Sequence, residues 1–425
     1  MTDIFQLNQI LQQAASARDA QDNEEAVRLF TQLISLTVER ADDPAVRQIR
    51  LTALRENGRL QRLLGDQVAA LACFQQYYLD AGRGEQAVDG LTLLANQHNS
   101  MGHYEEALQA SREALELTQA LNYSAGRAGA LQALGRAYAH YGRTEEAINN
   151  MQKALSLFEQ IGNRTEVVRT RNWMGVVYME QGQIDKAIHS FRRALQEEDH
   201  TSDVLRSILL NNLGECYQYL FDYEQALAYH REALDLIRRT KFTTPQDDQL
   251  RNLGVDLCRI GQIEEGIAHL QEALRLSEAT GSQDIRMQVL DSLAVAELER
   301  DRPDAAMQYA QTLKTESEKI KARHFQARAL YDLGLCYQHL GEAVAAEQMW
   351  HQALFLAHET QQQGLIWRLH ARLAQVVGIA PLAETHNRIA AEVIEQIVYP
   401  IEDQQLRQKF LNAPEVTAVL ESRQL

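Results

Sequence analysis

The stretch LGRAYAHYGRTEEAINNMQKALSL, residues 134–157, decides the fold because its small residues are regularly spaced. Gly135 is followed by Ala147 twelve positions later and by Ala154 nineteen positions later. Ala147 and Ala154 are two helical turns apart and therefore share one helix face. Small residues on facing surfaces predict two helices whose backbones approach closely, and Gly142 between them is typical of a left-handed helix end.

The same spacing returns along most of the chain. Each small anchor residue follows the previous one by 37 to 44 positions, and most intervals are 39 or 40. A further small residue stands twelve positions after each of the first nine anchors. So constant a repeat predicts stacked helical hairpins instead of several globular domains; we call the helix that carries the anchor helix A and the following one helix B. The anchors are Ala14, Gly58, Ala95, Gly135, Gly175, Gly214, Gly254, Ala294, Gly334 and Ala374.

Composition narrows the classes of protein. The chain has 425 residues, 45% of them hydrophobic, and only 6 prolines, which favours helix. No apolar run is long enough to span a membrane and the N-terminus lacks a secretion signal, so we expect a cytoplasmic protein that does not bind membranes. The net charge of -16 argues against binding to nucleic acid. The four cysteines are scattered, which indicates neither disulfides nor a zinc site.

The residues Leu134, Gly135, Tyr138, Gly142 and Ala147 resemble the tetratricopeptide-repeat signature. The resemblance recurs from about residue 5 to residue 360, and its 40-residue period is similar to that of spindle-orientation adaptors and of bacterial signalling arrays. It implies an all-α, right-handed α-solenoid of about ten hairpins. We expect this superhelix over residues 1–380 and capping helices over residues 381–425, where prolines break two short amphipathic segments.

Catalytic and metal motifs are absent from the sequence. It contains no glycine-rich phosphate loop, no HExxH and no GxSxG, so we expect no enzyme, no catalytic residue and no cofactor. The histidines are spread over the hairpins, although His351 and His358 lie seven apart on one helix B. Ordinary surface or half-buried histidines explain this distribution better than a metal site does.

A groove is the remaining functional feature. The resemblance implies that helix A lines a concave surface and presents positions -3, +1 and +4 from the anchor, a spacing that forms one stripe. The stripe is basic and rich in amides toward the N-terminus and apolar in the middle. The predicted groove residues are Arg55, Arg59, Arg62, Asn96, Asn99, Arg136, Asn172, Val176, Met179, Asn211, Arg251, Val255, Val295, Leu298 and Tyr331.

These features predict a non-catalytic scaffold or adaptor of bacterial-type signalling that binds a protein or peptide segment. The acidic part of the ligand would face Arg55, Arg59, Arg62 and Arg136, and its apolar part would face the middle hairpins. One alternative is a ligand- or peptide-responsive sensor that regulates a signalling or transcription partner. Another is that superhelical winding makes the valines simple packing and the arginines a solvated face. The binding hypothesis requires that the chain's own termini leave the hollow free.

Overall fold

A computed structural model describes residues 3–197, 202–240 and 246–422, and these residues form α-helices joined by short turns without any strand. None of the described helices has both the length and the hydrophobicity needed to cross a membrane. The helices are α1 Ile4–Asp19, α2 Asn23–Leu36, α3 Pro44–Leu63, α4 Gln67–Ala81, α5 Glu85–Ser100, α6 Tyr104–Leu121, α7 Ser124–His140, α8 Thr144–Gln160, α9 Arg164–Glu180, α10 Ile184–Leu195, α11 Asp203–Tyr219, α12 Tyr223–Arg238, α13 Gln246–Arg259, α14 Ile263–Thr280, α15 Gln283–Glu299, α16 Pro303–Lys319, α17 Arg323–His339, α18 Ala343–Glu359, α19 Gln363–Val376, α20 Ala380–Val398, α21 Gln404–Leu411 and α22 Pro414–Ser422.

The helices alternate as the repeat predicts. All ten anchors lie in the odd-numbered helices from α1 to α19, which are the A helices, and the even-numbered helices from α2 to α20 are the B helices. Acidic residues occupy the first turn of several B helices, as with Glu145 and Glu146 in α8, where they complement the helix dipole. The predicted all-α architecture of ten hairpins followed by short capping helices is confirmed.

The anchors permit close approach of the two helices of a hairpin. A Cβ atom added to Gly135 would lie 2.9 Å from the carbonyl oxygen of Ala147. One added to Gly254 would lie 2.8 Å from the carbonyl oxygen of Gly266. Real Cβ atoms do not come so near a backbone oxygen, so the sequence needs glycine at these crossings.

A large B-helix side chain fills the space above several glycine anchors. Phe74 lies sixteen positions after Gly58, and its ring would be 2.5 Å from a Cβ at that glycine. Three of the four alanine anchors are instead followed at this distance by a small residue, namely Ser111, Ala310 and Ala390. The hairpin interior therefore keeps its volume by exchanging bulk between the two helices. The pairs with a glycine anchor include Gly58 with Phe74, Gly135 with Met151, Gly214 with His230 and Gly334 with Trp350.

The turn between helix A and helix B has a left-handed residue seven positions after the anchor. Glycine stands there in six hairpins, with φ from 68° to 90° at Gly65, Gly102, Gly142, Gly182, Gly261 and Gly341. In hairpin six the position is taken by Phe221, whose φ is 59°. Gln21 and Asp301 take it in hairpins one and eight, with φ of 57° and 62°. The left-handed conformation is unfavourable for a bulky side chain such as that of Phe221.

Internal contacts divide the chain into two compact units. Unit 1 comprises residues 1–177, 193–205 and 239–244, and unit 2 comprises residues 178–192, 206–238 and 245–425. The boundary predicted at residue 380 coincides with the first residue of α20, which packs against α19 within unit 2. The unit boundaries cross hairpins five and six, and the predicted division at residue 380 stays a prediction.

Candidate functional site

The A helices line the inner side of each unit. Among the described helices, neighbouring A helices pack on each other more extensively than neighbouring B helices do, as α5 on α7 in unit 1 and α15 on α17 in unit 2. In a curved stack of hairpins, the layer whose neighbouring helices lie closer together is the inner layer. The inner face of helix A is therefore the surface on which the predicted groove residues are located.

Arg136 is the central residue of the inner face of unit 1. Its guanidinium carbon lies 3.8 Å from the centre of the Trp173 ring, and its Nη1 donates a hydrogen bond of 2.9 Å to Oδ1 of Asn96. The residue is only 8% exposed, and its Nε is buried without a hydrogen-bond partner in the described structure. Burial and, secondly, the charge of Arg62 lower the pKa of Arg136 to about 9.

Arg62 lies near Arg136 in the same unit. Burial, followed by the charges of Arg169 and Arg59, lowers the pKa of Arg62 to about 10, while Glu166 acts in the opposite direction. Neither Arg62 nor Arg136 forms an ion pair with any described carboxylate. The inner face of unit 1 thus contains two poorly solvated cations without a counter-ion, and such a site favours an anion.

Glu56 pairs with the other two predicted arginines of α3. Its carboxylate lies 3.1 Å from Arg55 and 3.3 Å from Arg59, and it also pairs with Arg18 at 2.8 Å. Arg55 and Arg59 are therefore the rim of the basic region, and Arg62 and Arg136 are the members left for a ligand.

The predicted amides are mostly engaged with the protein itself. Asn99 is 4% exposed, and its side-chain nitrogen donates 2.9 Å to the carbonyl oxygen of Ala133 on the next A helix. Asn172 is also buried. The expectation of an open amide is wrong at Asn99, which bridges two adjacent A helices, and the burial of Asn172 argues against free presentation of its amide.

Unit 2 shows the same effect more strongly. The side-chain nitrogen of Asn211 donates to Glu215 and Asp248 at 3.0 and 3.2 Å, and its oxygen accepts from Asn252 at 3.1 Å. Arg251 forms an ion pair of 3.0 Å with Asp248. Asn211 and Arg251 therefore belong to a closed polar network between α11 and α13, and the expectation that they face a ligand freely is wrong.

The apolar members of the stripe are half-buried. None of their side chains is fully exposed, and none is fully buried. Met179 places its sulfur 3.8 Å from the Cys216 sulfur, and the carbonyl oxygen of Tyr331 accepts a hydrogen bond from Trp350. They remain predicted contact positions with partly accessible side chains. These residues are Val176, Met179, Val255, Val295, Leu298 and Tyr331.

Residues 402–412, which we call the strap, return from the C-terminal end to the turns of hairpins five and six in unit 2. Oδ2 of Asp185 accepts hydrogen bonds from the backbone nitrogens of Glu402 and Asp403 at 3.1 and 3.2 Å. Phe410 is 3% exposed, and its ring centre lies 5.3 Å from that of Phe221 and 5.8 Å from that of Tyr219.

Lys409 forms an ion pair with Asp222, and Arg368 of α19 lies 3.7 Å from Glu415. The strap therefore packs on the turns of hairpins five and six, and a hollow free of the chain's own termini stays a prediction. The strap packs there because the aromatic side chains of Tyr219 and Phe221 offer an apolar surface that Phe410 covers. Sequence reasoning missed the strap, although a phenylalanine at a turn position that glycine occupies in six hairpins was a signal.

Comparisons with known proteins agree with this architecture. The tetratricopeptide repeat family model matches residues 87–160 and 166–239. The match confirms the predicted resemblance to tetratricopeptide repeats over these residues. No curated protein matches the sequence significantly.

Several solved structures share the fold. The apo quorum sensor NprR from B. thuringiensis is 14% identical with a TM-score of 0.58, covering 82% of this chain and 98% of NprR. A Rap protein complexed with competence and sporulation factor is 13% identical with a TM-score of 0.54, covering 92% of this chain and all of that one. A signal transduction ATPase with a tetratricopeptide repeat sensor, from Pyrococcus horikoshii, is 17% identical with a TM-score of 0.55, covering 86% of this chain and 57% of that one. At these identities the likeness concerns the fold alone.

Proposed function

We propose that this protein is a non-catalytic adaptor that binds a protein or peptide segment along the inner face of unit 1, with an acidic group of the ligand at Arg62 and Arg136. The observation that carries the proposal is the burial of Arg136 over Trp173 without a carboxylate partner. A desolvated guanidinium is costly unless an anion pairs with it, so a ligand carboxylate gains a charge-assisted hydrogen bond there.

The surrounding residues support an extended acidic ligand. Arg55 and Arg59 continue the basic surface along α3, and Trp173 provides a flat apolar surface beside the cations. The net charge of -16 makes such a basic region unusual in this chain, so it selects acidic ligands locally while the rest of the surface repels them. We place the adaptor in the cytoplasm, in bacterial-type signalling.

A sensor is the second candidate, and the strap favours it. The strap fixes turns of hairpins five and six to the C-terminal end of unit 2, and a ligand that releases it changes the accessible surface. NprR is described as a quorum sensor and the Rap protein was solved in complex with competence and sporulation factor, and we propose that the sensor candidate likewise responds to a ligand or peptide.

An array of random peptides with paired acidic and amide versions tests the proposal. We expect the wild-type chain to prefer Asp and Glu over Asn and Gln at one or two positions, and we expect Arg62→Gln with Arg136→Gln to abolish this preference. Arg28→Gln is the matched control, because Arg28 is an exposed arginine on helix B of the same unit, paired with Glu25. Unchanged acidic selection in the double variant, with normal thermal stability, contradicts the proposal.

A further inference from the structure

Phe221 is the first indication of an additional binding surface in unit 2. Its φ of 59° places a bulky residue where six other hairpins have glycine. Gln21 and Asp301 take the same position in two further hairpins, with φ of 57° and 62°, so the left-handed turn alone does not single out Phe221. The Phe221 ring touches Phe410 of the strap, and the Arg368 guanidinium lies 5.8 Å from its centre. The contact with the strap, and not the turn conformation, sets Phe221 apart from Gln21 and Asp301.

The surface around Phe221 recognises a particular pair of residues. Tyr219 and Phe221 surround the ring of Phe410, while Asp222 binds the ammonium of the preceding residue, Lys409. The Lys409 nitrogen also lies 6.0 Å from the centre of the Tyr217 ring. An aromatic ring and an adjacent cation, presented by one short helix, match an aromatic surface next to a carboxylate.

The strap is attached by one buried side chain. Within residues 402–412 only Phe410 is buried. The ion pair of Lys186 with Glu402 is well exposed, at 40% and 70% side-chain accessibility, and such pairs contribute little. The flanking segments have their own anchors, because Ile401 is fully buried before the strap and Val416 is fully buried after it, in α22, which packs on α20. The strap can therefore leave while hairpin ten and α22 remain folded.

We propose that Tyr219, Phe221 and Asp222 form an exchangeable docking site for a short helix that carries a Lys-Phe pair, and that the strap occupies this site in cis. The partner is a protein segment with the same chemistry as residues 404–411, whose binding displaces the strap. This inference concerns unit 2 and does not depend on the proposed acidic ligand of unit 1.

A labelled peptide with the sequence of residues 401–413, IEDQQLRQKFLNA, is the probe. We expect it to bind the full-length Phe410→Ala chain at least tenfold more tightly than the wild-type chain, because the wild-type strap competes for the site. The same peptide with Ala in place of Phe should bind neither chain. Phe355→Ala is the matched control, since Phe355 is 65% exposed on α18 and distant in sequence from the strap.

Two further measurements test the proposal if the peptide binds too weakly to compare the chains. Trypsin cleavage after Arg407 should be at least fivefold faster in Phe410→Ala than in the wild-type chain and in Phe355→Ala. Combining Asp222→Lys with Phe410→Ala should abolish binding of the peptide, and a peptide with Glu in place of Lys should restore it. Equal peptide binding to the wild-type and Phe410→Ala chains, or equal cleavage in the two, overturns the proposal.

Discussion

The guanidinium of Arg136 lies flat against the indole of Trp173, 3.8 Å from its centre, and this stack replaces the carboxylate that a buried arginine ordinarily has. The two residues come from successive A helices, α7 and α9, within unit 1. Because the Trp173 ring contacts the face of the guanidinium, no carboxylate of the described chain is needed at its hydrogen-bonding edge. The arrangement explains how a poorly solvated charge persists in the folded chain before any ligand is bound.

Trp173→Leu should destabilise the protein and weaken binding of acidic peptides together. The expected loss is about 1–2 kcal/mol of unfolding free energy, since a desolvated cation–π contact contributes roughly that much. Urea denaturation measures the loss. Arg136→Lys should behave similarly, because an ammonium cannot both stack and donate to Asn96 in the manner of a planar guanidinium. Full stability in both variants would show that the stack is incidental.

Gly334→Ala should cost about 1–3 kcal/mol, because the new methyl group would overlap the indole of Trp350, which has no exposed surface. Gly364→Ala is the matched control, since a Cβ there meets nothing nearer than 3.9 Å. We expect it to leave the thermal midpoint unchanged or raise it slightly. Equal effects of the two substitutions would contradict the volume matching of the anchor and the B helix.

Stability should decrease between about pH 6.5 and pH 4. His370 and His386 are buried, with their Nδ1 atoms 2.8 Å apart. Burial, then the charges of His386, His358 and His351, lowers the pKa of His370 to about 4. Below pH 6.5 His370 is protonated in the unfolded chain but stays neutral in the native chain. The unfolding free energy therefore falls by up to about 1.4 kcal/mol per pH unit until about pH 4.

Urea midpoints at pH 7 and pH 4.5 test this titration. The pKa of His386 is also lowered, by burial and then by His351, with Glu347 opposing, so both histidines contribute in the same direction. His370→Gln should reduce the pH dependence, and His103→Gln, at an exposed position, should not. If His370→Gln leaves the change of the urea midpoint with pH unaltered, other groups cause the acid sensitivity.

Phe221→Gly should separate the effect of backbone strain at residue 221 from that of the side-chain contact with Phe410. Glycine removes backbone strain of roughly 1–2 kcal/mol, while loss of the aromatic contact with Phe410 costs about 0.5–1.5 kcal/mol, so the net stability should change by at most about 1.5 kcal/mol. Trypsin should nevertheless cleave after Arg407 faster. Lys321→Gly, at another left-handed position with φ of 59°, should stabilise without affecting cleavage. Unaltered cleavage in Phe221→Gly would indicate that the strap is held by other residues.

The repeat made most of the fold predictable, because contacts within a hairpin join residues close in sequence. The crossing of Gly135 with Ala147 and the turn at Gly142 follow directly from spacing. The exposure of the groove did not follow. Asn99 lies at the predicted stripe position, but the distance between α5 and α7 decides that it bridges them.

The repeat pattern also could not predict contacts between residues far apart in sequence. Glu402 and Asp185 meet across 217 positions, and no periodicity connects the strap to hairpin five. The unpaired state of Arg136 depended on the absence of a nearby carboxylate, which only the assembled A helices determine. The sequence pattern therefore identified the basic stripe but not which of its arginines remain available.

The exchange of bulk between an anchor and the residue sixteen positions later has a consequence for how such chains change during evolution. Trp350 suits the A helix that carries Gly334, whereas Ala310 suits the one that carries Ala294. A recombination that joined the helix carrying Ala294 to the helix carrying Trp350 would create a clash, and one that joined the helix carrying Gly334 to the helix carrying Ala310 would create a void. Viable duplications and deletions should therefore have their breakpoints between hairpins, and engineered length variants should be built from whole hairpins.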